Sequence, residues 1–160
     1  MATSTGGENP ETKNGGFKSF GVVVGQYNPE FSKALAESVR KELFNLEPET
    51  AVEFFSVPGA FEIPLVIKLL AQTNRYKALI ALGVIIRGET AHGDLIGTAI
   101  TEALLRIALE FSIPVVHEVL LVNDEEQARQ RVGGEGQYDR GVEAARVAVE
   151  MANLTKNLRK

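Results

Sequence analysis

Cysteine is absent from the chain and histidine occurs only twice. Without cysteine there are no disulfides, no thiolate metal ligands and no cysteine nucleophile, a composition that suits a reducing compartment. His92 and His117 lie well apart, with no spacing motif around them, so no metal site is expected. Long apolar runs are missing too: charges or glycines interrupt every candidate before the ~18 residues needed to cross a bilayer. The balance of 17 basic against 21 acidic residues, a net charge of -4, lacks the basic footprint of a nucleic-acid binder. Neither nucleic acid nor membrane is an expected partner; small molecules or other protein chains are. GxGxxG and GxxxxGK[ST] loops are absent, and no serine sits in a nucleophile elbow.

The opening stretch MATSTGGENPETKNGG is polar and holds neither an apolar targeting core nor an arginine run. It reads as a flexible tail over residues 1–16, ahead of one domain over residues 17–160 in a cytoplasmic protein. A hydrophobic content of 44% over 160 residues is enough for one core.

Within that domain, short β-branched runs alternate with segments of helical period. FGVVVG at 20–25, 51–57, 76–86 and 113–122 read as buried strands. Between and after them, 31–44, 63–72, 90–111, 124–132 and about 142–154 read as helices. Strands separated by amphipathic helices imply right-handed βαβ crossovers, hence an α/β fold with a four-stranded parallel sheet covered on both faces. Ligands in such sheets bind outside the carboxyl ends of the strands, which directs attention to four loops.

The first loop offers Gln26, Tyr27 and Asn28, an aromatic ring that can stack on a planar heterocycle or simply pack. The second, VPGAFEIP at 57–64, can aim the amides of Ala60 and Phe61, with Glu62, at the polar edge of a ligand, or serve only as a connector. The third is RGETAHGDLIG at 87–97, where unpaired N–H groups of Gly88, Glu89 and Thr90 at a helix start suit a phosphate or carboxylate. Thr90 can equally be the helix N-cap. His92 just beyond is a candidate proton carrier, and Asp94 is a poor partner to orient it. The fourth region holds His117 and, further on, Arg131 beside Gly133 and Gly134, either a phosphate clamp or a surface arginine.

GQYN at 25–28, VPGAFEIP at 57–64, GVIIRGETAH at 83–92, EQARQRVG at 126–133 and EMANL at 150–154 together resemble the lumazine synthase family, in order over residues 17–158. The resemblance implies a three-layer flavodoxin-like sandwich that assembles as a homopentamer, with a sixty-chain shell as the larger form, and an active site between neighbouring chains. It implies condensation of 5-amino-6-(D-ribitylamino)uracil with 3,4-dihydroxy-2-butanone 4-phosphate, without a cofactor, and riboflavin synthase as a partner. By the same resemblance Tyr27, Asn28, Ala60, Phe61, Glu62, Val84, Ile85, Ile86 and His117 bind the ribitylaminouracil. Glu89, Thr90 and Arg131 bind the butanone phosphate, and His92 donates the proton. Gln26, Gly93, His117 and Glu135 depart from the family pattern, and the loop GGEGQYDRG looks one residue longer than in shell-forming members, which leans towards an isolated pentamer. The alternatives are a catalytically weak ligand-binding or cage-forming paralogue and an unrelated phospho-sugar binder.

Overall fold

The first strand, β1 (Ser19–Gly25), is buried from Phe20 onwards, as an apolar run enclosed by helices on both sides must be. In the computed structural model, which describes residues 18–133 and 138–160, it is followed by α1 (Pro29–Leu46), β2 (Val52–Val57), a short 3-10 turn (Ala60–Glu62) and α2 (Ile63–Gln72). The chain continues through β3 (Tyr76–Ile86), α3 (His92–Phe111), β4 (Val115–Val122), α4 (Glu125–Arg129) and α5 (Arg140–Leu158). The sheet has the order β2-β1-β3-β4, and every neighbouring pair is parallel. The expected tail at 1–16 and residues 134–137 of the GGEGQYDRG loop, Glu135 among them, lie outside the described residues.

Side chains alternate across the sheet and so divide the core in two. Phe20, Val22, Val24, Ile80 and Leu82 pack with Leu35, Val39, Ala144 and Ala148 of α1 and α5. Val23, Leu79 and Ala81 on the opposite face pack with Ile63 and Ile67 of α2 and with Ile100 and Leu104 of α3. The result is the three-layer flavodoxin-like sandwich the sequence implies.

Several element ends differ from the periodicity-based expectation, and local chemistry accounts for them. Helix α1 starts at Pro29, whose missing N–H is no loss in a first turn. Helix α5 begins at Arg140 rather than near 142 because the Asp139 carboxylate accepts from the N–H groups of Gly141 and Val142, a side-chain cap. Helix α3 begins at His92, not Thr90: Ala91 is the N-cap, and the Thr90 hydroxyl only reaches the His92 N–H at 3.4 Å.

Candidate functional site

The cleft over the carboxyl ends of β1 and β3 is built by backbone closeness before any side chain enters it. The Tyr27 ring lies close against Gly59, where a Cβ would come within 2.5 Å of its Cε2. Glycine is therefore the residue that admits the aromatic there. The Glu62 carboxylate accepts from the Gly59 N–H at 3.0 Å and closes the 3-10 turn. Ala60 and Phe61 are the first two residues of that turn, so their N–H groups have no carbonyl behind them to bond to. Asn28, in the left-handed region at φ 55, donates its Nδ2 to the Val84 carbonyl at 2.9 Å. That bond ties the loop after β1 to the end of β3.

These pieces enclose a cleft of about 340 Å³ lined by Tyr27, Asn28, Ala60, Phe61, Glu62, Val84, Ile85 and Ile86. All eight are residues the sequence nominated for one ligand. The aromatic rings of Tyr27 and Phe61 are 68% and 65% exposed, so both have surface left to give to a partner. The walls are mainly apolar with amide and carboxylate groups at fixed points, which suits a flat heterocycle with a polar edge.

Ile96 of α3 also lines the cleft and was not nominated. Its signal was present in the helical period: it sits four residues after His92 and so shares that residue's side of the helix. His92, at the first position of α3 and exposed, thus stands one turn beyond the cleft wall. Between β3 and α3, the N–H groups of Gly88, Glu89 and Thr90 make no hydrogen bond among the described residues. Three unpaired donors beside a helix N-terminus are an arrangement with the chemistry to hold an anion.

Arg87 is held away from solvent wandering. Its Nε donates to Asp94 at 2.9 Å and its Nη1 to the Asn123 side-chain oxygen at 2.7 Å. Asp94, by sequence a poor partner for His92, accepts from this arginine. At Gly93 an added Cβ would make only ordinary contact, 3.4 Å from Ile85 Cγ2, so the backbone does not demand glycine there.

Beyond Glu89, Thr90 and His92, which follow β3 next to the cleft, two nominated residues lie elsewhere, on or after β4. His117 lies on β4 and faces α3: Thr101 Oγ1 is 2.8 Å from its Nε2, and its Nδ1 accepts from the Val119 N–H at 3.2 Å. Burial pushes this imidazole below its ordinary value of 6.5. Arg131 follows α4, where its Nη1 donates to the Gln127 carbonyl at 2.8 Å. Its own carbonyl accepts from the Arg140 N–H at 3.0 Å, which joins the two ends of the loop between α4 and α5. Arg140 in turn donates to the Glu118 carboxylate at 2.5 Å. Burial raises Glu118 above its ordinary range although Arg140 pulls the other way. No cluster of three or more metal-binding side chains occurs among the described residues.

An α/β sandwich with an aromatic-walled cleft and a turn of unpaired amides at the carboxyl ends of its strands defines a class: flavodoxin-like domains, in which small ligands sit at the strand ends. The 6,7-dimethyl-8-ribityllumazine synthase family model matches residues 18–156. Among relatives of that name, the protein of a Polaromonas species is 40% identical over 141 residues, 88% of each chain. That of Thermococcus kodakarensis is 39% identical over 149 residues, 93% of each. That of Burkholderia multivorans is 42% identical over 139 residues, 86% of this chain and 78% of its own. The chain belongs to the 6,7-dimethyl-8-ribityllumazine synthase family, transferases of riboflavin biosynthesis.

Proposed function

We propose that the cleft binds 5-amino-6-(D-ribitylamino)uracil and the adjoining turn of unpaired amides binds 3,4-dihydroxy-2-butanone 4-phosphate, and that the protein joins them into 6,7-dimethyl-8-ribityllumazine. The observation that carries this reading is the convergence of Tyr27, Asn28, Ala60, Phe61, Glu62, Val84, Ile85 and Ile86 on one cleft, beside the unpaired amides of 88–90.

In this reading Tyr27 covers the uracil ring, while the amides of Ala60 and Phe61 and the Glu62 carboxylate address its polar groups and the ribityl chain. The Gly88–Thr90 amides hold the phosphate. The amine attacks the ketone and water leaves as the imine forms; loss of inorganic phosphate follows. Phosphate loss leaves the neighbouring hydroxyl carbon as an enol, which tautomerises to a new carbonyl, and closure of the second amine onto that carbonyl expels a second water. Each step moves protons between nitrogen, oxygen and carbon of bound partners. His92, beside both substrates, carries them, and holding the two reactants together supplies much of the acceleration.

His117 and Arg131 do not line their own chain's cleft: His117 bonds to Thr101 of α3 and Arg131 to the Gln127 carbonyl of α4. Both fit the site only as contributions to the cleft of an adjacent copy, His117 beside the uracil and Arg131 over the phosphate. A homopentamer supplies such a neighbour. In support, α2 and α3 leave Leu65, Leu69, Leu95, Leu105 and Leu109 more than half exposed on the single chain, an apolar surface of the kind subunit contacts cover. The cytoplasm is the compartment we assign, on the lack of cysteine, and the product makes riboflavin synthase a candidate partner. No helix of the described residues is long and apolar enough to cross a membrane.

The test is direct. Purified protein is mixed with both substrates and lumazine absorbance is followed against the spontaneous reaction. Acceleration by orders of magnitude is expected; a rate equal to the spontaneous one would instead favour a ligand-binding or cage-forming paralogue.

A further inference from the structure

The Thr101 hydroxyl has one proton, and it is given to the Gly97 carbonyl at 2.8 Å. Towards His117 Nε2, also 2.8 Å away, this oxygen can therefore only accept, so Nε2 must carry hydrogen. The other ring nitrogen is assigned independently. Leu79 N–H bonds to the Pro114 carbonyl and Arg87 N–H to the Val122 carbonyl, so even-numbered peptides of β4 face β3 and odd-numbered ones face out of the sheet edge. The outward Val119 N–H donates to His117 Nδ1 at 3.2 Å, and a nitrogen that accepts carries no proton. Both contacts specify the same neutral tautomer. A proton on Nδ1 would face the Val119 N–H head on, and burial disfavours the cation as well.

We propose, resting on the function given above, that Thr101 is a positioning residue for the reaction: through Gly97, Thr101 and Val119 the chain consumes both polar atoms of His117. The imidazole then presents only its flat face to the uracil ring in the neighbouring cleft. His117 acts there as a neutral aromatic plate, and neither reads a hydrogen-bonding edge nor exchanges a proton with substrate. The sequence departure at 117 is thereby compensated on α3, sixteen residues away.

The test combines a spectroscopic and a binding readout. Long-range 1H–15N spectra of the ring nitrogens distinguish the tautomers, and His92→Ala assigns the two histidines. The parent protein is expected to show His117 as the Nε2–H tautomer. Thr101→Val, which keeps the shape and removes the acceptor, should move the two nitrogen shifts towards each other. It should also weaken binding of ribitylaminouracil, titrated alone, by about threefold to tenfold, and Thr101→Ser should restore both. Made on top of His117→Phe, Thr101→Val should add nothing to the loss. An Nδ1–H tautomer in the parent, or an equal loss from Thr101→Val in both backgrounds, overturns the proposal. A parent that does not bind ribitylaminouracil at all sinks the proposed function, while the nitrogen spectra still judge the hold of Thr101 on the ring.

Discussion

His92 is asked to move protons, not to hold either substrate, and its replacement should show that division. His92→Ala is expected to slow lumazine formation by about tenfold, at the low end of acid–base effects, because positioning of two bound substrates survives. Initial rates with the folded variant check this; a rate reduced to the spontaneous one would mean the imidazole carries the catalysis. His117 sets a different expectation, for stability. Its folded-state value lies below the ordinary 6.5, so between the two values the unfolded chain binds more protons than the folded one. Stability is then complete above about 6.5 and falls as the pH drops through that window to the folded value. Urea midpoints across the window should fall less steeply for His117→Phe than for the parent protein. Equal slopes would show that the imidazole is not held neutral by the fold.

At the scale of elements, α5 starts in close contact with α1. A Cβ at Gly141 would fall 2.7 Å from the Leu35 carbonyl oxygen and 2.7 Å from Ser38 Cβ, and backbone offers little room to yield. Gly141→Ala is expected to cost about 1–3 kcal/mol as overpacking, read from chemical denaturation; an unchanged midpoint would show that the two helices can separate freely. This contact marks the limit of what the sequence discloses. Residues 76–86 are legible as a strand because a short apolar run that ends in a turn suits a buried parallel strand, and Ile96 was recoverable from its four-residue step past His92. The order β2-β1-β3-β4 is not legible, since parallel strands joined by helices leave neighbours undetermined. Nor are contacts between distant positions: the Asn28 amide spent on Val84, Asp94 serving Arg87, and Thr101 fixing His117. Each links residues on separate elements, which periodicity cannot pair. Element ends moved where a cap such as Asp139 replaced the apolar pattern as the deciding force.

For the whole molecule, the central claim is that one chain's cleft, lined by Tyr27 and Glu62 with His92 beside it, is completed by a neighbour's His117 and Arg131. Light scattering should give about 87 kDa for five chains of 17.4 kDa, and a stable particle of one chain would leave the site half built. The most direct measurement mixes two defects. Chains with Tyr27→Ala lack the cleft side, chains with Arg131→Ala lack the side given to the neighbour, and each alone should form a nearly inactive assembly. Co-expressed in equal amounts and shown to share one particle, they should regain activity, because about a quarter of the clefts then meet two intact halves. Lumazine formation no faster than the average of the two separate variants would contradict the shared site.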